Sequence, residues 1–327
     1  MLQANPESQT QTVILHAITY LAKDTTALEF RSPSGGELAP FSAGAHIDLL
    51  LPNGIRRSYS LCNPQGETSR YVVAVKKTSP SRGGSIFVHD QLRVGTRIEI
   101  GRPRNNFPLV EDAPHVVLIA GGIGITPIWC MIQRLIAIGR PFEAHYASRT
   151  HADAAFLGEI ERLPEEARRR FRLTFDHEPG AKLLDLGAII VGAPAGSHFY
   201  ACGPAPMLEA FDKATQAVTG GRVHVERFNA SVELARASSA GFQVMLARSQ
   251  RTFDVPENKA ILDVLLDNEI DIPFSCMEGV CGSCRVGVLE GVPEHRDVIL
   301  SAEERAENKS MMVCCSGSKS DRLVLDL

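Results

Sequence analysis

The pattern of hydrophobic and polar positions changes twice along the chain. Between residue 13 and about residue 108, short runs such as Val72–Val75 and Arg97–Ile100 lie between turn clusters that include Pro52-Asn53-Gly54. Short strands at this spacing predict an antiparallel β-barrel.

From residue 115 to 229 the pattern alternates between strands and helices. His115–Ala120 is typical of a buried strand, Ile128–Ile138 has the apolar period of a helix, and Phe142–Tyr146 is typical of the next strand. This alternation predicts a parallel α/β sheet. The small, polar stretch near Asn229–Gly241 predicts a linker. We therefore expect a barrel domain at 1–110, an α/β domain at 111–229, a linker at 230–240 and a third domain at 241–327.

Composition and charge narrow the class of protein. The 327 residues are 44% apolar and 22% charged, which is ordinary for globular domains, and the formal net charge is −4. Because there is no basic excess, we do not expect nucleic acid or anionic membranes as partners. Small molecules or another protein are the expected partners. Eight cysteines and a start that does not resemble a secretory signal predict a reducing, cytoplasmic compartment.

One uncharged stretch, Val116–Ile132, approaches the length of a membrane helix. It is interrupted by Gly121, Gly122, Gly124 and Pro127, and it is followed by Gln133 and Arg134. A strand, a glycine turn and a helix explain it better than a membrane span.

The cysteines cluster near the C-terminus. Cys276-x4-Cys281-x2-Cys284, followed by Cys314 after twenty-nine residues, has the ligand spacing of a plant-type [2Fe–2S] ferredoxin. Gly279 and Gly282 suit a loop that turns tightly around a cluster. A structural zinc site is the alternative, although zinc sites commonly use two close cysteine pairs.

Cys315 leaves open which of two neighbouring cysteines is the fourth ligand, and ferredoxin-like chains place it where Cys314 stands. The other three cysteines, Cys62, Cys130 and Cys202, are expected to be small buried residues.

A glycine-rich turn follows the first buried strand of the α/β part. Gly121-Gly122-Ile123-Gly124-Ile125-Thr126-Pro127 opens a helix, an arrangement that lets a pyrophosphate approach the backbone. It is not the G-x-G-x-x-G fingerprint, and Tyr146-Ala147-Ser148-Arg149 stands where the ribose-binding acid is expected. A tight connection without a ligand is the alternative. A second strand, His198–Cys202, ends in the turn Gly203-Pro204, and both turns are expected to line one crevice.

In the barrel part, Arg57-Ser58-Tyr59-Ser60-Leu61 offers a cation, hydroxyls and an aromatic face. Because side chains alternate along a strand, Tyr59 can lie against a planar ring while Arg57 reaches a phosphate on the same face. An exposed strand without a ligand is the alternative.

The order of the motifs resembles one family over nearly the whole chain. R-S-Y-S-L-C-N, S-R-G-G-S, R-N-N-F-P-L, G-G-I-G-I-T-P, A-C-G-P, E-R-F and the ferredoxin cysteines follow one another as in the phthalate dioxygenase reductase family, the FMN-containing reductases of Rieske oxygenase systems. The resemblance implies a flavin barrel, a nicotinamide-nucleotide domain and a β-grasp ferredoxin domain, with FMN, NADH and a [2Fe–2S] cluster. Cys315 and Gly317 depart from residues that are frequent in the family.

The resemblance also implies site residues. Those for FMN are Arg57, Ser58, Tyr59, Ser60, Ala74, Val75, Lys76, Gly83, Gly84 and Ser85, with Thr126 and Phe228 touching the ring from the nucleotide domain. Those for NADH are Gly121, Gly122, Ile123, Gly124, Ile125, Pro127, Ser148, Arg149, Cys202, Gly203, Pro204 and Met207. The expected cluster ligands are Cys276, Cys281, Cys284 and Cys314.

Three cofactors in one chain have a chemical reason. A nicotinamide donates two electrons together as a hydride, a [2Fe–2S] centre accepts one, and a flavin converts between the two. No acid or base catalyst is required, so His89, His115, His145, His177, His198, His224 and His295 receive no catalytic role.

The expected function is a monomeric NADH-dependent reductase that supplies a terminal Rieske oxygenase, with Met277, Glu278 and Arg285 as candidates for the docking surface. A free-standing reductase of small acceptors and a zinc-stapled nucleotide-binding protein are the alternatives. The oxygenase's substrate leaves no mark on this sequence.

Overall fold

The computed structural model describes residues 10–78, 83–228, 241–257, 259–274, 276–277 and 279–327. The chain divides into two compact units, Met1–Glu226 and Arg227–Leu327. The predicted linker at 230–240 and Glu278 lie outside the described residues. The division into three domains at 110 and 229 stays a prediction.

The N-terminal part of the first unit is an antiparallel sheet of six strands with one helix. Its elements are β1 (Thr10–Ala22), β2 (Thr25–Arg31), β3 (His46–Leu50), β4 (Arg56–Ser60), β5 (Tyr71–Lys76), α1 (Gly84–Asp90) and β6 (Arg97–Gly101). The strand order is β4-β3-β6-β1-β2-β5, and an antiparallel bridge between Leu61 and Val73 joins its two ends. The predicted antiparallel barrel is confirmed.

Alternation of side chains gives this sheet its interior. Val13 and Leu15 on β1 and Leu28 and Phe30 on β2 are fully buried, and they pack with Tyr71 of β5 in one apolar cluster. Residues two apart lie on the same face of a strand, so one face of each strand fills the core.

The second part of this unit is a parallel sheet with helices. Its elements are β7 (Val116–Gly121), α2 (Ile125–Ala137), β8 (Phe142–Ser148), α3 (Leu157–Glu161), α4 (Glu165–Arg168), β9 (Phe171–Phe175), α5 (Leu186–Gly192), β10 (His198–Cys202), α6 (Ala205–Ala214) and β11 (Val223–Glu226), with 3-10 turns at Gly122–Gly124 and His151–Asp153. All neighbours in the order β11-β10-β7-β8-β9 are parallel, as predicted. Every residue of the central strand β7 is buried.

Helix α2 begins three residues earlier than its apolar period predicts. Pro127 lies in its first turn, where the missing N–H has no partner to lose. The uncharged stretch Val116–Ile132 is thus strand β7, a turn and part of α2. No helix among the described residues is long and apolar enough to cross a membrane.

The second unit is a mixed sheet with two short helices. Its elements are β12 (Phe242–Leu246), β13 (Thr252–Val255), α7 (Ile261–Asp267), β14 (Arg285–Glu290), β15 (Pro293–Glu294), α8 (Ala302–Glu307), β16 (Ser310–Met312), β17 (Gly317–Ser318) and β18 (Arg322–Leu325). The main sheet has the order β13-β12-β18-β14-β16, in which only β12 and β18 run parallel, and β15 pairs with β17. One side of α7 is buried in this unit's core, through Ile261, Leu262, Val264 and Leu265.

Candidate functional site

The predicted flavin strand and the predicted phosphate turn lie side by side. A Cβ on Gly84 would be 2.8 Å from Cγ of Arg57, so the arginine side chain crosses directly over this glycine. Gly83 has a left-handed φ of 88°, which favours glycine. Ser85 follows Gly84, and its hydroxyl oxygen lies 3.1 Å from that of Thr78. A guanidinium, a hydroxyl and a glycine turn therefore meet where a terminal phosphate is expected.

The aromatic and hydroxyl residues of β4 follow Arg57 on the same strand. Ser58 donates to Asp48 at 2.7 Å. Burial raises the pKa of Tyr59 to about 12, so its hydroxyl stays neutral. The next strand in the barrel, β5, contributes the buried Ala74 and Val75. A half-buried apolar wall with a neutral phenol suits a planar isoalloxazine ring.

Lys76 ends β5 and reaches the other sheet. Its Nζ lies 4.0 Å from Oδ1 of Asp153, which belongs to the 3-10 turn after β8. Strand β5 also contacts the glycine turn at Gly122–Gly124. The predicted flavin strand and the predicted nucleotide turn are therefore neighbours within the first unit.

The two predicted nucleotide turns pack directly on each other. A Cβ on Gly121 would lie 2.6 Å from Cδ of Pro204, and one on Gly124 would lie 2.2 Å from the carbonyl oxygen of Cys202. Close packing between the turns therefore explains these two glycines. Gly122 differs, because its φ is 53° and no atom lies within 4 Å of its Cβ position. It is the glycine in this turn that leaves open space for a ligand.

The remaining residues of the two turns support this arrangement. A Cβ on Gly203 would lie 2.3 Å from Cε of Met207. Thr126 is buried, and its hydroxyl donates to the carbonyl of Ile123 at 3.0 Å. Ile125 and Pro127 are buried in the first turn of α2. Both turns therefore lie together at the carboxyl ends of β7 and β10, where ligands bind on open α/β sheets; the crevice itself stays a prediction.

Ser148 and Arg149 lie at the carboxyl end of β8. Ser148 is buried and Arg149 is exposed. The backbone N–H of Asp176, which follows β9, donates to the carbonyl of Ser148 at 3.0 Å. Asp176 therefore lies next to Ser148 on the neighbouring strand, at the carboxyl ends of the parallel strands.

Glu226 is the first residue of the E-R-F motif, and the sequence assigned it no role. It is the last residue of β11, and Ser60 Oγ on the flavin strand donates to its Oε2 at 3.5 Å. Burial raises the pKa of Glu226 to about 8. Burial, and then the charge of Glu226, raise the pKa of Cys202. A hydroxyl, a thiol and a carboxyl that holds its proton near neutral pH therefore meet between the two predicted sites.

Three ring side chains of the neighbouring strands β10 and β11 stack on one another. Tyr200 and His224 stack with ring centroids 4.2 Å apart, and Nδ1 of His198 lies 3.1 Å from Nε2 of His224. Burial, and then the neighbouring His198, lower the pKa of His224 to about 4. The Tyr200 hydroxyl donates to the carbonyl of Pro108 and accepts from the N–H of Val110, so it fixes the segment that leaves the barrel.

The four predicted cluster cysteines are buried in the second unit. The backbone N–H groups of Cys276 and Val280 lie 3.5 and 3.4 Å from the sulfurs of Cys281 and Cys276. The N–H of Val313 donates to the carbonyl of Cys284 at 3.2 Å, which joins the two cysteine segments. Amides aimed at sulfur are a recurring feature of iron–sulfur sites.

Three of these cysteines have pKa shifts that are caused by contact with another cysteine of the set, so the four thiols lie together. Contact with the Cys276 thiol, and then burial, raise the pKa of Cys281, while contacts with Cys276 and Cys284 raise that of Cys314. Contact with Cys314 lowers the pKa of Cys284. Four buried thiolates require cations between them, so the donor set fits an iron–sulfur cluster.

The cysteine loop needs glycine at two positions. Gly279 and Gly282 have φ values of 71° and 74°, as the predicted tight loop requires. A Cβ on Gly279 would lie 2.5 Å from Sγ of Cys315. Cys315 is partly exposed, whereas Cys314 is buried. Cys62, Cys130 and Cys202 are buried free cysteines, which confirms their prediction as small core residues.

Phe228 is partly buried and falls in the second unit. Its contact with the flavin stays a prediction. Met277, one of the docking candidates, is 46% exposed, and Arg285 pairs with Glu304 at 3.0 Å.

Barrel, parallel sheet and cysteine domain together define an oxidoreductase that takes electrons from a pyridine nucleotide to an iron–sulfur centre. Two family models match it: an oxidoreductase NAD-binding domain at residues 118–213 and a 2Fe-2S iron-sulfur cluster binding domain at residues 244–318. The latter favours the [2Fe–2S] cluster over structural zinc. The chain belongs to the phthalate dioxygenase reductase family.

Full-length relatives support this membership. Phenoxybenzoate dioxygenase subunit beta of Ectopseudomonas oleovorans is 51% identical over 96% of both chains. Tetrachlorobenzoquinone reductase of Sphingobium chlorophenolicum is 50% identical over 95% of this chain and 96% of its own. The solved structure of phthalate dioxygenase reductase, described as a modular structure for electron transfer from pyridine nucleotides to [2Fe–2S], has a TM-score of 0.75 and 38% identity, covering 98% of this chain and 99% of that one.

Proposed function

We propose that this protein is the NADH-dependent reductase component of a Rieske non-haem iron oxygenase system. The observation that carries the proposal is the 51% identity to a dioxygenase subunit over 96% of both chains. FMN, when bound, accepts a hydride from NADH and passes electrons one at a time to the [2Fe–2S] cluster. The chain's own residues bind and orient these groups.

Each part of the first unit has a defined task in this proposal. Arg57, with the turn Gly83-Gly84-Ser85, would hold the FMN phosphate, and Tyr59 would cover the ring. The crevice between the Gly121 and Gly203 turns would hold the nucleotide, with Gly122 beside its pyrophosphate. Ser60 and Glu226 would lie beside the flavin, where the raised pKa of Glu226 lets its carboxyl hold or release a proton near neutral pH.

NADH is the proposed electron donor rather than NADPH. Asp176 lies beside Ser148 at the sheet edge, where an acid accepts from a ribose hydroxyl and repels a 2′-phosphate. Arg149 is the residue that would favour NADPH instead, since an arginine can bind a 2′-phosphate. Its charge acts on Asp153, whose pKa is lowered by Thr150 first and then by Lys76, Lys23 and Arg149. Steady-state rates at equal NADH and NADPH concentrations test the choice, and faster turnover with NADPH would reverse it.

The test of the function is a reconstituted turnover. Purified holo-reductase, NADH and a purified Rieske-type oxygenase are combined with an aromatic substrate of that oxygenase. We expect hydroxylated or demethylated product that depends on the reductase and matches the NADH consumed. If none of a set of such oxygenases accepts electrons from the reductase, the proposal is contradicted.

A second candidate function is direct reduction of a small quinone. It is favoured by the 50% identity to a tetrachlorobenzoquinone reductase, which is nearly equal to that of the dioxygenase subunit. The same preparation, assayed with NADH and tetrachlorobenzoquinone in place of oxygenase, separates the two. Rapid quinone reduction without electron delivery to any oxygenase would establish the second function.

The proposed docking surface surrounds the cysteine loop. Met277 is exposed there, and Glu278, also a candidate, lies outside the described residues. Because Arg285 pairs with Glu304, Arg285→Glu would place two acids together, whereas Arg285→Gln removes the positive charge and leaves Glu304 in the capping box of α8. Slower electron transfer to the oxygenase in Arg285→Gln, with cluster content unchanged, would support this surface. Unchanged transfer would place docking elsewhere.

A further inference from the structure

A short segment of the second unit connects the two cysteine-bearing parts of the cluster site. At its start, Glu294 pairs with Gly317 in the ladder between β15 and β17. The N–H of Arg296 then donates to Oγ of Ser316 at 3.3 Å. The segment is thus attached to the chain just after Cys314.

The same segment holds the three-cysteine loop at its other end. The N–H of Val298 donates to the carbonyl of Gly279 at 3.0 Å. Gly279 lies between Cys276 and Cys281, and a Cβ there would be 2.9 Å from Cα of Asp297. The loop can approach this closely only because the residue is glycine.

Asp297 determines the conformation of the segment. Its carboxylate is completely buried, and Oδ2 accepts from the N–H groups of Ile299 at 3.1 Å and Leu300 at 2.8 Å. These bonds turn the chain toward α8, which begins with a capping box between Ser301 and Glu304.

Arg305 and His295 lie next to that carboxylate. Nη2 of Arg305, on α8, donates to the backbone carbonyl of Asp297 at 2.5 Å and lies 3.9 Å from Oδ2. Nδ1 of His295 lies 3.8 Å from Oδ1. A buried acid is retained only where charge and hydrogen bonds offset its desolvation, so a function in holding the site is expected.

We propose that Asp297 is a positioning residue for the [2Fe–2S] site, which holds the Cys276–Cys281 loop and the turn after Cys314 in register through the segment Glu294–Val298, with Arg305 as its counter-charge. Residues behind the metal ligands typically change metal affinity by about 10–100-fold when they are replaced. Asp297 also places a negative charge, and Arg305 a positive one, near a centre that gains an electron on reduction.

Two variants that change the charge in opposite directions should shift the cluster's midpoint potential in opposite directions, which a general loss of structure would not do. Asp297→Asn keeps an oxygen acceptor for Ile299 and Leu300 but removes the negative charge, so the cluster's midpoint potential rises. Arg305→Gln removes the positive charge, so the potential falls. Asp267→Asn, which removes an exposed acid of the same unit paired with Lys259, is the matched control and leaves the potential unchanged.

The measurements use the full-length holoprotein. Redox titration gives the potential, low-temperature electron paramagnetic resonance of the reduced protein gives the cluster's signature, and bleaching in a chelator gives the rate of cluster loss. We expect Asp297→Ala to lose its cluster roughly tenfold faster than the parent. FMN content of the same samples shows whether the first unit is folded.

The outcomes separate cleanly. Opposite potential shifts in Asp297→Asn and Arg305→Gln support the proposal. No shift, shifts of the same sign, or an equal shift in Asp267→Asn would overturn it. If Asp297→Ala fails to fold, the two charge variants still decide. None of these readouts depends on an oxygenase, so failure here is distinct from failure of the proposed function.

Discussion

Ser60 and Glu226 join the two sheets of the first unit at the predicted meeting point of flavin and nucleotide. Ser60 ends a barrel strand, Glu226 ends an edge strand of the parallel sheet, and the hydroxyl donates to the carboxyl at 3.5 Å. The two residues are 166 positions apart in the sequence. Their contact places a carboxyl with a raised pKa beside the strand that is proposed to carry the flavin.

Replacing Glu226 should change how stability depends on pH. Its pKa rises from 4.5 to about 8 in the folded chain. Above pH 4.5 the folded state therefore keeps a proton that the unfolded state loses. The contribution of Glu226 to the free energy of unfolding falls as the pH rises to 8, by up to about 5 kcal/mol. Glu226→Gln has no such proton, so its free energy of unfolding relative to the parent should increase across this range.

Urea unfolding at pH 5 and pH 8 measures the effect. Fluorescence of Trp129, the single tryptophan, reports on the first unit. Glu209→Gln, at an exposed position of α6, is the control. Parallel pH profiles for parent and Glu226→Gln would contradict the raised pKa.

His224 should act in the opposite direction. Burial and His198 lower its pKa from 6.5 to about 4. Below pH 6.5 the unfolded chain binds a proton at this histidine, whereas the folded chain binds it only near pH 4. The free energy of unfolding therefore falls as the pH falls through this range, by up to about 3 kcal/mol. His224→Gln should flatten this acid limb in the same unfolding assay, whereas exposed His16→Gln should not. An equally steep acid limb in His224→Gln would exclude the histidine as its source.

Arg57→Ala should release FMN. The guanidinium crosses Gly84 beside the proposed phosphate turn, and a phosphate contact of this kind is worth about 1.5–3 kcal/mol, or roughly 10–100-fold in affinity. Arg56→Ala is the control, because neighbouring side chains on a strand point to opposite faces. The ratio of flavin to protein after gel filtration measures retention, and cluster absorbance should stay constant. Equal flavin content in both variants would remove Arg57 from the site.

Gly124→Ala should disrupt the packing of the two nucleotide turns. The added methyl group would lie 2.2 Å from the carbonyl oxygen of Cys202, so we expect a loss of about 1–3 kcal/mol and a higher KM for NADH. Gly192→Ala, where no atom lies within 4 Å, is the control and should be nearly neutral. An unchanged KM and unfolding midpoint in Gly124→Ala would show that the turns can separate without cost.

Local patterns were sufficient for the elements and the fold class. Alternation along β1 and β2 predicts a barrel because side chains two apart share a face, and the run before Gly121 predicts a buried parallel strand. Cysteine spacing predicts the cluster because three ligands come from one loop. Helix α2 begins with Pro127 in its first turn, as expected of a glycine turn that opens a helix, whereas the apolar period marks only the part from Ile128 onward.

Side chains from distant strands were beyond such patterns. Asp176 lies beside Ser148 only because their strands are neighbours in the sheet, and Glu226 meets Ser60 only through the contact between the two sheets. Asp297 is an ordinary polar position in the sequence and a fully buried charge in the fold. The sequence by itself determined the strands, the helices and the order of cofactor motifs, because these depend on neighbours a few residues apart. Only the tertiary structure decided which polar groups share one desolvated environment, because burial and pKa depend on everything packed around a group.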